Sequence, residues 1–273
     1  MKKILVPTDF SNAAKNALEY AIGIAKTFQS EIILLNAYSM PHSGSTVMID
    51  VSDVLKGDSV QKLKEEVDRT KDIIDGVSIH TASYNGATAN TIANVANNEK
   101  VDLIIMGTTG ATGLKEVFMG SNTADLIKQT AIPIIAVPNG CQNKSLSNVA
   151  MSVDLHHIKS PEVFAPLKKL LSDSNSTLTM INISDNMKSV DPVSFVDEAV
   201  DIDNMFFGIK HTFKFLEGAD VEEEILAFIN KESIDLLTVV SRKRNFFERL
   251  FHKSMSKKLT MHSPIPILIL SEE

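Results

Sequence analysis

Val101-Asp102-Leu103-Ile104-Ile105-Met106-Gly107-Thr108-Thr109-Gly110, followed after nine intervening residues by Gly120-Ser121-Asn122-Thr123, is the stretch that decides the fold. Residues 101–106 form an apolar, strand-like run, and residues 124–129 carry a helical pattern through Ala124, Leu126 and Ile127. A strand, a glycine-bearing loop and a helix start together make an arrangement that binds phosphates. Glycines let the backbone approach closely, and the unpaired N–H groups of a helix N-terminus face an anion. The spacing lacks the Gly-Lys-Ser/Thr end of a P-loop and does not follow the dinucleotide fingerprint. Taken singly, glycines after a strand are usually turns, and Ser-Asn-Thr ahead of a helix is usually a cap. Their order and interval make them specific.

Outward from this stretch, apolar strands alternate with helical patterns throughout the first half. Leu18, Ala21, Ile22 and Ala25 fall at i, i+3, i+4 and i+7 and predict one buried helix face. Ser11 stands where it would cap that helix. Val60, Leu63 and Val67 predict a second helix, and Ile92, Val95 and Ala96 a third. The strands are continuous aliphatic runs, as in a parallel sheet covered by helices on both faces. The expected fold is α/β, doubly wound, β-α-β-α-β-α-β-α-β. Ligands of such sheets sit beyond the carboxyl ends of the strands, at a switch point, and every polar motif named here lies at such an end.

The pattern is written twice. Residues 3–9 correspond to 148–154, so that Asp9 matches Asp154, and residues 30–36 correspond to 176–182. Residues 101–106 correspond to 234–240, and the closing run 131–137 is aligned with 263–269. A polar linker spans 138–147 and contains Asn139-Gly140 with several Ser and Asn residues. Two domains are expected, 1–140 and 146–273.

Composition bounds the rest. The chain has 273 residues, 44% hydrophobic and 22% charged, which describes a globular protein of one large or two ordinary domains. No apolar run approaches the roughly 20 residues of a membrane span. The opening Met1-Lys2-Lys3-Ile4-Leu5-Val6-Pro7 reads as a first strand and not as a signal peptide. With one cysteine, Cys141, an intrachain disulfide and a cysteine metal cluster are excluded, and a cytoplasmic location is expected. A net charge of −7 argues against a nucleic-acid binder. Residues 242–258 nevertheless carry seven basic side chains against Glu248, either as a solvated helical face or as an anion or partner-docking patch.

The pattern Gly107-x2-Gly110-x9-Gly120-Ser121 resembles the ATP-binding signature of the universal stress protein family, and the resemblance covers essentially the whole first half. It implies two tandem doubly wound domains, Rossmann-like and similar to the adenine nucleotide alpha hydrolases, forming a pseudo-dimer. The cofactor implied is ATP, or ADP or AMP, bound as a regulator, with Mg2+ on the phosphates. By this resemblance Pro7, Thr8 and Asp9 lie near the nucleotide, where the Asp9 carboxylate accepts hydrogen bonds from ribose or adenine. The alternative for Asp9, that it braces the first helix, stays open. The backbone of Ala37 would meet the adenine edge. Met106, Gly107, Thr109, Gly110, Gly120, Ser121, Asn122 and Thr123 would line the phosphates. The resemblance further implies that strands 132–137 and 265–270 pair inside the chain, with a homodimer as a further option. The expected role is a nucleotide-dependent regulatory module in stress response, acting on a protein partner that the sequence does not name.

Catalysis is not expected beyond slow hydrolysis. The glycine motif holds one basic residue, Lys115, and no histidine beside an acid, so neither a base nor a phosphoryl clamp is evident. His42 and His80 read as ordinary loop and strand residues. Residues 39–57, after the second strand, are a candidate lid. In the second half Ser241, Arg244, Ser254 and Met255 are aligned with Gly107, Gly110, Gly120 and Ser121. Side chains at those places block close backbone approach to phosphate, so this half is expected to be degenerate. Arg242, Lys243 and Arg244 leave open a different anion bound by side chains. Phe206, Phe207, Phe246, Phe247 and Phe251 read as core or as a further oligomer surface, most of them as core. Two rival functions remain, an ATPase or nucleotidyl-transferring enzyme and a dimerising scaffold that binds no nucleotide.

Overall fold

In the computed structural model the chain divides into two units, Met1–Gln142 and Asn143–Glu273. The structure describes residues 1–39, 48–108, 121–141, 145–152, 161–184, 200–218, 220–242 and 265–272. The first unit runs β1 (Lys3–Pro7), α1 (Asn12–Phe28), β2 (Glu31–Tyr38), α2 (Met48–Arg69), β3 (Ile79–Asn85), α3 (Thr88–Asn98), β4 (Leu103–Gly107), α4 (Ser121–Gln129) and β5 (Ile134–Val137). Its strands are parallel and lie in the order β3-β2-β1-β4-β5. The chain winds outward from β1 to β3, then crosses back to β4 on the other side of β1. This is the doubly wound α/β sheet expected from the sequence, and its switch point lies between β1 and β4.

Local chemistry explains the elements. Ile4, Leu5, Val6, Ile32, Leu34, Leu35, Ile104 and Ile105 are buried, which requires cover on both faces of the sheet. The α1 helix starts at Ser11, whose hydroxyl accepts from the Ala14 N–H at 3.3 Å, as the sequence predicts. It ends at Gln29 in the left-handed conformation, whose N–H bonds the Ala25 carbonyl. Its buried face includes Leu18, Ala21, Ile22 and Ala25.

The α2 helix departs from the reading of its face. Val60 is 52% exposed, and the buried positions are Ser59, Leu63 and Glu66 of the helix and Thr70 just past its end. Three of these four are polar, so an apolar-periodicity search misplaces the face. Each is hydrogen-bonded, which removes most of the cost of burying it. Residues 48–57 belong to this helix, so that part of the candidate lid is not loop. Residues 40–47 lie outside the described residues.

The second unit contains β6 (Asn148–Ser152), a 3-10 turn (Pro161–Phe164), α5 (Ala165–Ser174), β7 (Thr177–Ser184), β8 (His211–Glu217), α6 (Val221–Lys231), β9 (Leu236–Arg242) and β10 (Ile267–Glu272). Its strands are also parallel, in the order β10-β9-β6-β7-β8. The repeat extends to single hydrogen bonds. Asp102 Oδ2 accepts from the Lys2 and Lys3 N–H groups at 2.6 and 3.0 Å, and Asp235 Oδ2 accepts from the Asn148 N–H at 3.0 Å. The Ser30 hydroxyl donates to the Met1 carbonyl, and the Ser176 hydroxyl to the Leu146 carbonyl. Gln29 and Asn175 close equivalent helices with positive φ, and Lys100 and Ser233 repeat the same conformation before β4 and β9.

Register corrects the alignment of the halves by one residue. Ile104 N donates to the Pro133 carbonyl, and Leu237 N to the Pro266 carbonyl, so Pro133 is equivalent to Pro266. Gly107 pairs with Val137, and its counterpart Val240 pairs with Leu270. Val240, and not Ser241, therefore stands in the place of Gly107, while buried Ser241 matches buried Thr108. The aliphatic run around Pro264 and Pro266 admits two registers by composition, and the main-chain bonds select one. Phe206 is fully buried and packs on Phe164 with ring centroids 5.3 Å apart, whereas Phe207 is 86% exposed and is not a core residue. Phe246, Phe247 and Phe251 lie outside the described residues.

Candidate functional site

Three neighbouring strands bring the predicted residues of the first unit to one edge of the sheet. Pro7 pairs with Leu35, and Leu5 with Ile104, so the carboxyl ends of β2, β1 and β4 lie side by side. Thr8 and Asp9 follow β1, Ala37 lies near the end of β2, and Met106 and Gly107 end β4. Met106 is buried and Ala37 partly exposed. Thr109, Gly110 and Gly120 lie outside the described residues, as do Lys115 and His42. Ser121, Asn122 and Thr123 form the first turn of α4 and do not precede it, so the helix begins earlier than the apolar pattern indicated. Thr123 Oγ1 points to the Gly107 carbonyl at 3.4 Å, which seats this turn at the end of β4. A helix N-terminus there turns its first N–H groups toward the same edge.

The turn from β1 into α1 is tightly held. Thr8 is buried, and its N–H donates to the Leu35 carbonyl at 2.8 Å. Its hydroxyl accepts from the Phe10 N–H at 3.0 Å. Asp9 is exposed, and its Oδ1 accepts from the Ser11 N–H at 3.0 Å. Asp9 thus braces the start of α1. A carboxylate has about four acceptor positions, so bracing the helix and accepting from a ligand are compatible. Phe10 takes φ of 65°, a conformation bulky residues rarely adopt, and Lys62 of α2 lies 5.8 Å from its ring centroid.

Gly107 has a reason of its own. A Cβ there would stand 2.9 Å from the Ala13 carbonyl carbon and oxygen, so α1 can approach β4 only over a glycine. The expected role, room for a phosphate, is joined by a packing demand that would keep this glycine without any ligand. Thr108 is the more telling neighbour. It is 3% exposed, and its hydroxyl has no hydrogen-bond partner among the described residues. Buried hydroxyls are paired as a rule, so an orphan at a strand end calls for an explanation.

Charges lie behind the turn. Glu66 is buried, bonded to Arg69 Nε at 3.0 Å and 3.5 Å from Lys15 Nζ. Arg69 also meets Glu19 at 2.6 Å. Partial burial opposes the charge of Arg69, but its bonds to Glu19 and Glu66 outweigh it and hold its pKa above the ordinary value. His80 is exposed on β3, 3.7 Å from Glu31, consistent with its reading as an ordinary strand residue. Among the described residues no group of three or more His, Cys, Asp or Glu is placed to hold a metal. No helix among them is long and apolar enough to cross a membrane.

Sequence reading missed Asn36, Ser59 and Ser83. The Asn36 amide donates to the Thr8 carbonyl at 2.7 Å, and its Oδ1 accepts from the Ser59 hydroxyl at 2.7 Å. Ser59 in turn meets Ser83 at 2.6 Å. A signal was present, since Asn36 interrupts the aliphatic run Ile32-Ile33-Leu34-Leu35.

A doubly wound parallel sheet with its switch point between β1 and β4 places the first unit in the α/β class. A model of the universal stress protein family matches residues 1–138 and 196–271, and the chain belongs to that family. Two relatives come from Methanocaldococcus jannaschii. Universal stress protein MJ0531 is 37% identical over 142 residues, 50% of this chain and 81% of its own. Universal stress protein MJ0577 is 29% identical over 152 residues, 50% of this chain and 94% of its own. Each relative therefore corresponds to half of this chain, in keeping with a tandem. A solved universal stress protein from Archaeoglobus fulgidus DSM 4304 overlays 99% of this chain and 98% of its own with a TM-score of 0.73 at 18% identity, which establishes the same fold over the full length.

Proposed function

We propose that the first unit binds an adenine nucleotide at the switch point between β1 and β4, and that the chain is a nucleotide-dependent regulatory module of the stress response. One observation carries the reading: the buried Thr108 hydroxyl has no partner among the described residues. Thr108 follows Gly107, which lies against Ala13 of α1 and whose carbonyl meets Thr123 in the first turn of α4, so a polar ligand at this strand end would satisfy it. Such a ligand suits the residues present. The α4 N–H groups favour phosphate, Asp9 suits a ribose or adenine donor, and Ala37 offers main chain at the adjacent strand end. Mg2+ would ride on the phosphates, since it keeps several waters and needs few protein ligands. The work assigned to the site is binding and orientation of the nucleotide, with the message passed to a protein partner in the cytoplasm.

The second unit is assigned a structural or regulatory part. Val240 carries a side chain where Gly107 has none, and Pro7-Thr8 is replaced by Ser152-Val153. Calorimetric titration of the nucleotide-stripped full chain with Mg-ATP tests the proposal, beside the Gly110→Val variant. One site per chain, lost in the variant, is the expected result. Two sites would overturn the assignment of the second unit, and no binding of ATP, ADP or AMP would return the chain to a scaffold.

A further inference from the structure

We propose that Asn36 is the positioning residue of the nucleotide site and that helix α2 must be seated on the sheet for the site to bind. This rests on the proposed nucleotide binding of the first unit. The polar chain from α2 to the β1 turn has one possible direction. The Thr8 carbonyl can only accept, so the Asn36 amide nitrogen faces it at 2.7 Å, which fixes the orientation of the amide. Asn36 Oδ1 can only accept, so Ser59 spends its single hydroxyl hydrogen there at 2.7 Å. The Ser83 hydroxyl, 2.6 Å away, must then donate to Ser59. The relay runs Ser83 to Ser59 to Asn36 to Thr8, from β3 through α2 and β2 to the strand end that carries Asp9.

The links of Asn36 to Thr8 and to Ser59 lie inside the protein, and the link to Ser83 is part-buried. Asn36 is 7% exposed and Ser59 3%, so water does not readily replace a lost partner. The turn that the relay holds is the one with Phe10 at positive φ, a conformation that persists only where its surroundings impose it. The α2 helix touches this turn a second time through Lys62 on the Phe10 ring, one turn beyond Ser59. A built-in comparison supports the assignment. In the second unit Asn182 occupies the place of Asn36, yet its strand partner is Phe215 where Asn36 has Ser83. Phe215 offers no hydroxyl at that place, in the unit assigned no nucleotide.

The test is the affinity of the full chain for Mg-ATP, measured calorimetrically at pH 8 and pH 5.5 with the thermal midpoint of each variant. Asn36→Asp keeps the shape but presents a carboxylate to the Thr8 carbonyl at pH 8, and affinity should fall about tenfold. Once protonated, the same carboxyl donates to Thr8 and accepts from Ser59, as Asn36 does. Its deficit relative to wild type at the same pH should therefore shrink at pH 5.5. In an Asp9→Ala background, Asn36→Asp should add little further loss, because both act on one element. Ser59→Ala, a milder change, should weaken binding about threefold with no recovery at low pH, and it decides the matter if Asn36→Asp does not fold. Wild-type affinity in both variants at pH 8, or an Asn36→Asp deficit equal at both pH values, overturns the positioning role and leaves nucleotide binding intact. Absence of binding by the wild type overturns both.

Discussion

At the residue scale, Gly107 separates two reasons for one glycine. Its position after a strand suggested room for a phosphate, but the atoms nearest to a methyl placed there belong to the Ala13 main chain. Gly107→Ala should therefore destabilise the chain itself, by about 1–3 kcal/mol in urea unfolding, because backbone must move to admit the methyl. An unchanged unfolding midpoint would show that α1 yields without cost. The motif residue was legible from sequence, while the cause was not, since Ala13 lies far from Gly107 along the chain. Thr108 and Asn36 make the same point from the other side. Neither belongs to the recognised pattern as a ligand, and only burial and missing or directed hydrogen bonds give them meaning.

At the element scale, every helix of the first unit predicted from periodicity is present, and the misreadings have a common cause. Periodicity measures apolar residues, whereas burial also admits polar groups that find partners. The α2 helix buries Ser59 and Glu66 for this reason, with Thr70 buried just past its end, and leaves Val60 outside. Val60→Lys should shift stability by less than about 0.5 kcal/mol, while Leu63→Ala should cost about 2–5 kcal/mol. Equal effects in thermal unfolding would contradict that face. The start of α1 is the opposite case, because capping is a local interaction. Ser11 was readable as a cap, and Ser11→Ala should cost about 1 kcal/mol, measured by the same unfolding experiment. The closing strand of the second unit was misaligned by one residue because Ile and Pro alternate in it, and composition does not distinguish the two registers.

At the scale of the whole molecule, the two units share strand order and the main-chain bonds that clamp Asp102 and Asp235, but not the residues of the proposed site. Asp9→Ala should weaken Mg-ATP binding by about tenfold or more, and Asp154→Ala should leave stoichiometry and affinity unchanged. A loss of binding on Asp154→Ala would assign the second unit a direct share in the ligand. By itself the sequence determined the α/β class, the tandem repeat, the family and the strand ends at which the polar motifs gather. These follow from patterns local to the chain: runs, periods, caps and glycine intervals. Tertiary structure alone decided which residue of the second unit replaces Gly107, why Gly107 is glycine, which face α2 buries and how Asn36 reaches Thr8. Those depend on sheet register and on contacts between distant segments, where the physical partner of a residue is set by packing and not by its neighbours in sequence.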